Sequence, residues 1–208
     1  MQLVQVIDTK SNNLSNVLRA LDRCDVKYQV IQFANELVKG SLVVLPGVGA
    51  FGSCLNELQV NGFCEHLVTH LAAGGKLLGI CVGMQALARS STEFGFHTGL
   101  SLIDAEVTRL ANSESAPIIV PNVNWLPLDN VSDRFKPFAG KAMYFVHSYF
   151  MTNFRDPHQC AAIVKYSGID IPAIIDSGNI IGFQFHPEKS GEDGLRILRH
   201  SIDLLRGI

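Results

Sequence analysis

The 208-residue sequence lacks several features that would place it in a particular class of protein. It has no cluster of basic residues and a formal net charge of −2, so it carries no footprint for nucleic acid or for an anionic membrane surface. No apolar run approaches the length of a membrane span, and residues 1–10 do not have the pattern of a secretory signal. The five cysteines are scattered and never spaced as Cys-x-x-Cys, which indicates reduced thiols in a cytoplasmic protein.

Strand and helix patterns alternate through the first half of the chain. Apolar runs that predict strands lie at 2–7, 26–31, 41–45 and 77–80, and helical patterns begin at residue 14 and cover 51–58 and 63–73. This alternation predicts an α/β fold with a mostly parallel central sheet flanked by helices. Catalytic groups in such sheets gather at the carboxyl ends of the strands, where Asp8, Gly47 and Cys81 lie.

The second half contains short β-like runs separated by turns, which predict an additional antiparallel β portion. These runs cover residues 102–110, 118–126, 141–150, 161–166, 172–176 and 179–185. A turn signal within 174–180 predicts a hairpin, and residues 193–205 have the apolar stripe of a terminal helix. Because no linker or repeat interrupts the chain, we expect one domain over residues 1–208.

Residues 77–87, LLGICVGMQAL, form the most informative stretch. An apolar run ends at Cys81, a helix-like segment follows it directly, and Gly79 and Gly83 lie two positions away on either side. This is the spacing of the G-x-S-x-G nucleophile elbow, with sulfur in place of the hydroxyl. Such a cysteine lies at a helix N-terminus, where unpaired N–H groups favour the thiolate. Cys81 is therefore a candidate nucleophile, and a buried core cysteine is the alternative interpretation.

A cysteine nucleophile needs a base and a group that orients the base. His186 and Glu188 follow the apolar run 180–185, so His186 can take the thiol proton and Glu188 can hold the imidazole in the required tautomer. The alternative is a surface turn with a lone histidine. The backbone N–H of Val82 and the glycine-rich loop 46–49 are candidate donors to the oxyanion that forms during attack on an amide.

Four motifs occur in order along the chain, LPGVGAFG, LLGICVGMQAL, YFVHSY and GFQFHPEKSG. In this order and at these separations they resemble the class I (triad) glutamine amidotransferases. They are similar in particular to the glutaminase subunits of imidazole glycerol phosphate synthase, a histidine-biosynthesis enzyme. The resemblance extends from Asp8 to the terminal helix, and PGVG together with YFVHSY narrows it from the superfamily to these subunits.

The resemblance implies a reaction and a role for each matching residue. Cys81 attacks the side-chain amide of glutamine, His186 acts as base and then as acid, and Glu188 orients His186. Glutamine is thereby hydrolysed to glutamate and ammonia through a glutamyl thioester. Gly47 and Val48 match an oxyanion loop that becomes competent through a peptide flip once the partner binds its own ligand. The positions that match contacts to the substrate glutamine are Gln85, Ser148 and Tyr149.

The resemblance also implies a partner. The ammonia passes without reaching bulk water to a (β/α)8-barrel cyclase subunit of a heterodimer, which forms imidazole glycerol phosphate and aminoimidazole carboxamide ribonucleotide. Neither a metal nor an organic cofactor is implied, and no nucleic acid or membrane takes part. The residues expected to face the partner are Asn122, Asn124, Trp125, Tyr144 and His147.

Two segments depart from the family pattern. Residues 8–13 have Lys10 and Asn12 where the family usually has the glycines of Asp-Tyr-Gly-x-Gly-Asn, and asparagine tolerates the left-handed φ that such a turn requires. Residues 121–125 have Asn122 and Asn124 where the family usually has the histidine and glycine of Pro-His-Met-Gly-Trp. Because the second segment faces the partner in the family, this departure bears on the ammonia acceptor more than on hydrolysis.

Two other functions remain open from the sequence. A paralogous glutaminase subunit could supply ammonia for amidation of a bacterial surface sugar. A non-catalytic binding or scaffold protein could share the fold, although it would not need Cys81, His186 and Glu188. Elsewhere, His66 and His70 lie one helical turn apart, and we expect them on a solvated helix face rather than in a metal site.

Overall fold

The computed structural model describes residues 3–10, 13–111 and 118–208. Gln2, where the first strand is predicted to begin, and Asn12, one of the two glycine replacements, lie outside the described residues. The helices are α1 (Leu14–Arg23), α2 (Phe51–Val60), α3 (Phe63–Ala72), α4 (Val82–Gln85) and α5 (Gly191–Arg206). The strands of the first half are β1 (Val4–Ile7), β2 (Tyr28–Ile31), β3 (Leu42–Gly47), β4 (Lys76–Cys81), β5 (Ser90–Ser91) and β6 (His97–Thr98). Those of the second half are β7 (Glu106–Arg109), β8 (Asn122–Pro127), β9 (Ala142–His147), β10 (Tyr149–Thr152), β11 (Cys160–Tyr166), β12 (Ile169–Asp176) and β13 (Ile180–Phe183).

A seven-stranded sheet organises the molecule, with the strand order β11-β12-β13-β4-β3-β1-β2. The strands from β13 to β2 are parallel, and β11, β12 and β13 pair antiparallel. Central strands such as β1 and β3 are buried along their whole length, because helices cover a parallel sheet on its faces. The predicted mostly parallel sheet flanked by helices is confirmed.

The antiparallel portion is also confirmed: it comprises β11, β12 and β13 at one end of the large sheet and most strand pairs of two smaller sheets. Strands β8 and β9 pair antiparallel by themselves, while β10, β7, β5 and β6 form a four-stranded sheet. The predicted hairpin over 174–180 joins β12 to β13. The predicted run 141–150 is two strands that join different sheets, with Ser148 between them.

The helices follow the predicted patterns with two exceptions. In α5 the apolar stripe of Leu195, Leu198, Ile202 and Leu205 is buried as predicted. The helix after Cys81 ends at Gln85, whereas the sequence predicts it as far as Leu87. The expectation of a solvated position is wrong for His70, which is buried with its Nε2 atom 3.0 Å from the carbonyl oxygen of Ser41.

Among the described residues, no helix has the length and apolarity needed to cross a membrane.

Candidate active site

Cys81 ends β4 and caps the N-terminus of α4, in the strand-turn-helix arrangement that the glycine spacing predicts. Its backbone has φ 53° and ψ −111°, a conformation that residues with a Cβ rarely adopt and that costs on the order of 1–3 kcal/mol. Its side chain borders a cavity of about 440 Å³ although the residue is only 4% exposed. A strained turn that presents a thiol to a cavity is the geometry of a nucleophile elbow.

Glycines allow the elbow to pack directly against β3. A Cβ atom on Gly83 would lie 2.0 Å from the carbonyl oxygen of Leu45, and one on Gly47 would lie 2.4 Å from the backbone nitrogen of Gly83. Because Gly47 pairs in register with Cys81, the loop that begins at Gly47 lies beside the nucleophile. Val48 and Gly49 of that loop line the same cavity as Cys81.

The parallel pairing of β13 with β4 brings His186 to the elbow. The Nδ1 atom of His186 lies 2.7 Å from Oε1 of Glu188, and the side chains are 1% and 0% exposed. Since Nδ1 is used by Glu188, the other ring nitrogen is left to face Cys81. Burial opposes charge on His186, but the Cys81 sulfur and the Glu188 carboxylate together raise the pKa of His186 to about 10.

The Glu188 carboxylate is held by two donors. Burial opposes its charge, but the His186 imidazole and the side-chain amide of Asn13 hold the pKa of Glu188 below its usual range. Asn13 caps α1, is 4% exposed, and donates from Nδ2 to Oε1 of Glu188 at 2.6 Å. Asn13 was not among the predicted site residues, although it stands at the asparagine of the family's N-terminal pattern.

The cavity brings most of the predicted site residues together. Glu188 and Gly47 are not among the residues that line it. The predicted residues that line it are Val48, Cys81, Val82, Gln85, His147, Ser148, Tyr149 and His186. The cavity is also lined by Glu93 and Lys189, which were not among the predicted site residues. Their carboxylate and ammonium groups suit an amino acid ligand, which carries both a positive and a negative charge.

The residues predicted to face a partner divide into buried and exposed groups. Asn122 and His147 are 0% and 6% exposed, and their side chains bind each other through Nδ2 and Nε2 at 3.1 Å. Asn124 and Trp125 are exposed on β8, and Trp125 packs its ring against Tyr144 of β9 at a centroid distance of 5.9 Å. Asn124 and Trp125 therefore present exposed side chains to another molecule, and Tyr144 is half-buried beside them.

Lys10 has a left-handed backbone conformation, which the glycine at this position of the family pattern adopts more readily. Its φ is 51°, and its backbone N–H donates to Oδ1 of Asp8 at 2.8 Å. Its ammonium lies 3.5 Å from a carboxylate oxygen of Glu57. The local hydrogen bond and the ion pair offset the strain of a residue with a Cβ at this position.

The fold and the Cys81–His186–Glu188 arrangement define a class I glutamine amidotransferase. A family model described as glutamine amidotransferase class-I matches residues 5–204, and the chain belongs to this family.

The chain is also similar over nearly its whole length to proteins named imidazole glycerol phosphate synthase subunit HisH. The protein from Streptococcus mutans is 37% identical over 204 residues, which cover 97% of this chain and 99% of the relative. The one from Carboxydothermus hydrogenoformans is 38% identical over 203 residues, with coverages of 96% and 98%.

Solved structures share the fold at low sequence identity. A glutamine amidotransferase crystal structure has a TM-score of 0.73 at 17% identity, covering 99% of both chains. A chain of PurLQS from Thermotoga maritima has a TM-score of 0.71 at 17% identity, covering 98% of this chain and 99% of that one.

Proposed function

We propose that this chain is the glutaminase subunit of an imidazole glycerol phosphate synthase and acts in histidine biosynthesis. The observation that carries the proposal is a strained cysteine elbow beside a buried imidazole–carboxylate pair, in a chain similar throughout to HisH subunits. Two such relatives carry the name of imidazole glycerol phosphate synthase, which favours this function over amidation of a surface sugar.

In the proposed reaction the Cys81 sulfur bonds to the amide carbon of glutamine after its proton passes to His186. The N–H of Val82, which as the first residue of α4 has no intrahelical acceptor, stabilises the oxyanion together with the loop at Gly47 and Val48. His186 then protonates the departing nitrogen, so that ammonia leaves and a glutamyl thioester remains. His186 next takes a proton from water, whose oxygen attacks the thioester, releases glutamate and restores the thiol.

The lining of the cavity supports a position for each end of the substrate glutamine. Glu93 accepts a hydrogen bond from the backbone N–H of Phe51 at 2.6 Å, which fixes its carboxylate at the cavity wall. We infer that Glu93 binds the α-ammonium group of glutamine. Lys189 carries the opposite charge, and its ammonium group suits the α-carboxylate of glutamine. Gln85, Ser148 and Tyr149 complete the contacts to the substrate.

The ammonia acceptor is proposed to be a (β/α)8-barrel cyclase subunit that covers β8 and β9 and receives ammonia through a channel. The exposed Trp125 on this strand pair supports the assignment, because exposed aromatic side chains are enriched at protein interfaces. We also infer that residues 1–208 form one glutaminase domain, since the seven-stranded sheet takes strands from both halves of the chain.

The test measures glutamate formation by the chain with and without the cognate barrel subunit. We expect weak activity alone and higher activity with the liganded partner, since the oxyanion loop is proposed to need the partner. Cys81→Ala should lower the rate at least about a thousandfold, because it removes the nucleophile. Cys64→Ala, which changes a half-buried cysteine of α3, is the matched control. Equal rates for Cys81→Ala and the wild type would contradict the proposed chemistry.

The pathway has a separate test. Expression of the chain should restore growth of a histidine auxotroph that lacks its own glutaminase subunit. Failure to grow, with stable protein and glutaminase activity in the extract, would contradict the histidine assignment and leave the hydrolysis intact.

A further inference from the structure

Gln184 is a fully buried side chain to which the proposed reaction gives no role. It follows β13, lies between Phe183 and Phe185, and is 0% exposed. Its Nε2 atom lies 3.8 Å from the sulfur of Cys81, within hydrogen-bonding range for sulfur. A buried amide without partners costs free energy, so the groups that satisfy Gln184 determine how it is oriented.

The orientation of the Gln184 side-chain amide is fixed, through Gln85, by the backbone carbonyl of Tyr149. The carbonyl oxygen of Tyr149 only accepts hydrogen bonds, so the atom of Gln85 that lies 2.9 Å from it must be the donor Nε2. The same Nε2 lies 3.0 Å from the Gln184 side chain, which must therefore present its oxygen. The Nε2–H donor of Gln184 therefore points toward Cys81. This chain of donors removes the usual ambiguity between oxygen and nitrogen in side-chain amides.

We propose that Gln184 is a catalytic residue that donates a hydrogen bond to the Cys81 sulfur and stabilises the thiolate, and that Gln85 is the positioning residue that orients it. This inference rests on the proposed role of Cys81. A hydrogen bond to a charged acceptor is about twice as strong as one between neutral groups, so the donor favours the thiolate over the thiol. Once the sulfur is acylated it carries no charge, and the contribution of this donor falls.

Other titratable groups also act on the Cys81 sulfur. His186 hydrogen-bonds to it, Glu188 lies behind His186, and His147 of β9 acts on His186. The Cys54 thiol of α2 also interacts with it electrostatically. Gln184 differs from all of these groups because its donor cannot titrate. Removing this donor should therefore move the midpoint of thiolate formation without deleting a titratable group.

The experiment measures the rate at which iodoacetamide alkylates Cys81 in the whole chain as a function of pH, by mass spectrometry of the peptide that contains Cys81. Gln184→Met keeps the length of the side chain and removes the donor. We expect its alkylation midpoint to rise by roughly one pH unit, the shift that matches loss of a hydrogen bond to a charged group. Gln184→Glu keeps the shape and places an acceptor beside the sulfur, so its midpoint should rise further.

Gln5→Met is the matched control. Gln5 is also a fully buried glutamine of the seven-stranded sheet, but its side chain bonds to Glu36, Val38 and Ser41, away from the cavity. Its substitution should leave the alkylation midpoint unchanged. Gln85→Met should raise the midpoint by less than Gln184→Met, because it only releases the orientation of Gln184.

A wild-type midpoint in whichever Gln184 variant folds, judged by its circular dichroism, would overturn the proposal. The assay contains no glutamine. A wild-type chain without glutaminase activity would therefore contradict the proposed function without affecting this result.

Discussion

His147 is a buried imidazole held between two groups that define its protonation. Its Nδ1 donates to the carbonyl oxygen of Tyr149 at 3.0 Å, and its Nε2 accepts from Nδ2 of Asn122. Both bonds suit the neutral ring. Burial and the nearby charge of His186 lower the pKa of His147 to about 4. The imidazole therefore stays neutral in the folded chain at pH values where an unfolded chain would protonate it.

This difference predicts a loss of stability in acid. Below the unfolded value of 6.5 the unfolded chain binds a proton at His147 that the folded chain does not bind until about pH 4. The free energy of unfolding should fall by about 3 kcal/mol over that window. The pKa of His186 is raised instead, so its contribution to the free energy of unfolding is lost as the pH rises from 6.5 through about 10.

Urea unfolding at a series of pH values between 4 and 7 measures the effect. His147→Gln keeps a donor and an acceptor and cannot titrate, so its unfolding free energy should vary less with pH than that of the wild type. His158→Gln, at an exposed position, should keep the wild-type slope. The same slope in His147→Gln as in the wild type would contradict the prediction.

The residues that carry local signals are the ones that the sequence analysis identified. Cys81 is flanked by glycines, and His186 and Glu188 lie in one tripeptide. Asn13 and Gln184 lie inside segments that resemble the family, but an amide side chain does not by itself indicate a chemical role, and their contacts join positions 175 and 103 residues apart in sequence. Long-range hydrogen bonds of this kind follow from how β1, β4 and β13 are ordered in the sheet, which a single sequence does not display.

At the scale of elements, the junction of β3, β4 and α4 depends on a close approach of backbones. Gly83→Ala would place a Cβ atom 2.0 Å from the carbonyl oxygen of Leu45, and backbone cannot move aside as a flexible side chain can. We expect this substitution to lower the free energy of unfolding by about 3 kcal/mol and to remove glutaminase activity, because the elbow must shift.

Urea unfolding and the glutaminase assay measure the two effects. Gly52→Ala is the control, since the three atoms nearest to its added Cβ belong to the ring of His97, a side chain that can rotate, and alanine favours the surrounding helix α2. Wild-type stability and activity in Gly83→Ala would show that the junction tolerates a larger separation.

Element boundaries were predicted less well than element types. The run 141–150 is mostly apolar and contains neither glycine nor proline, so nothing in its pattern marks Ser148 as a break. The break arises because β9 pairs with β8 as far as His147, while β10 leaves to pair with β7. Likewise, α4 ends at Gln85 because the chain turns after it to bond with residues near Leu100 and Ala105. Both breaks reflect tertiary partners rather than local propensity.

At the scale of the whole molecule, the proposed interface contains the single tryptophan of the chain. Trp125 is 53% exposed on β8. Binding of the barrel subunit should remove water from its indole and shift its emission to shorter wavelength. The shift, followed in a fluorescence titration and corrected for the partner's own emission by a parallel titration with Trp125→Phe, reports complex formation. An identical spectral change with Trp125→Phe would contradict the placement of the interface on β8.

The sheet order also has a consequence for how the protein is made. Synthesis produces β4 and Cys81 early, whereas β13, Gln184, His186 and Glu188 emerge only near the end of the described chain. Until β13 adds to the sheet beside β4, Cys81 lacks the side chains of Gln184, His186 and Glu188. If the proposed function holds, a chain whose translation has not passed residue 188 therefore has no complete active site and should not consume cellular glutamine.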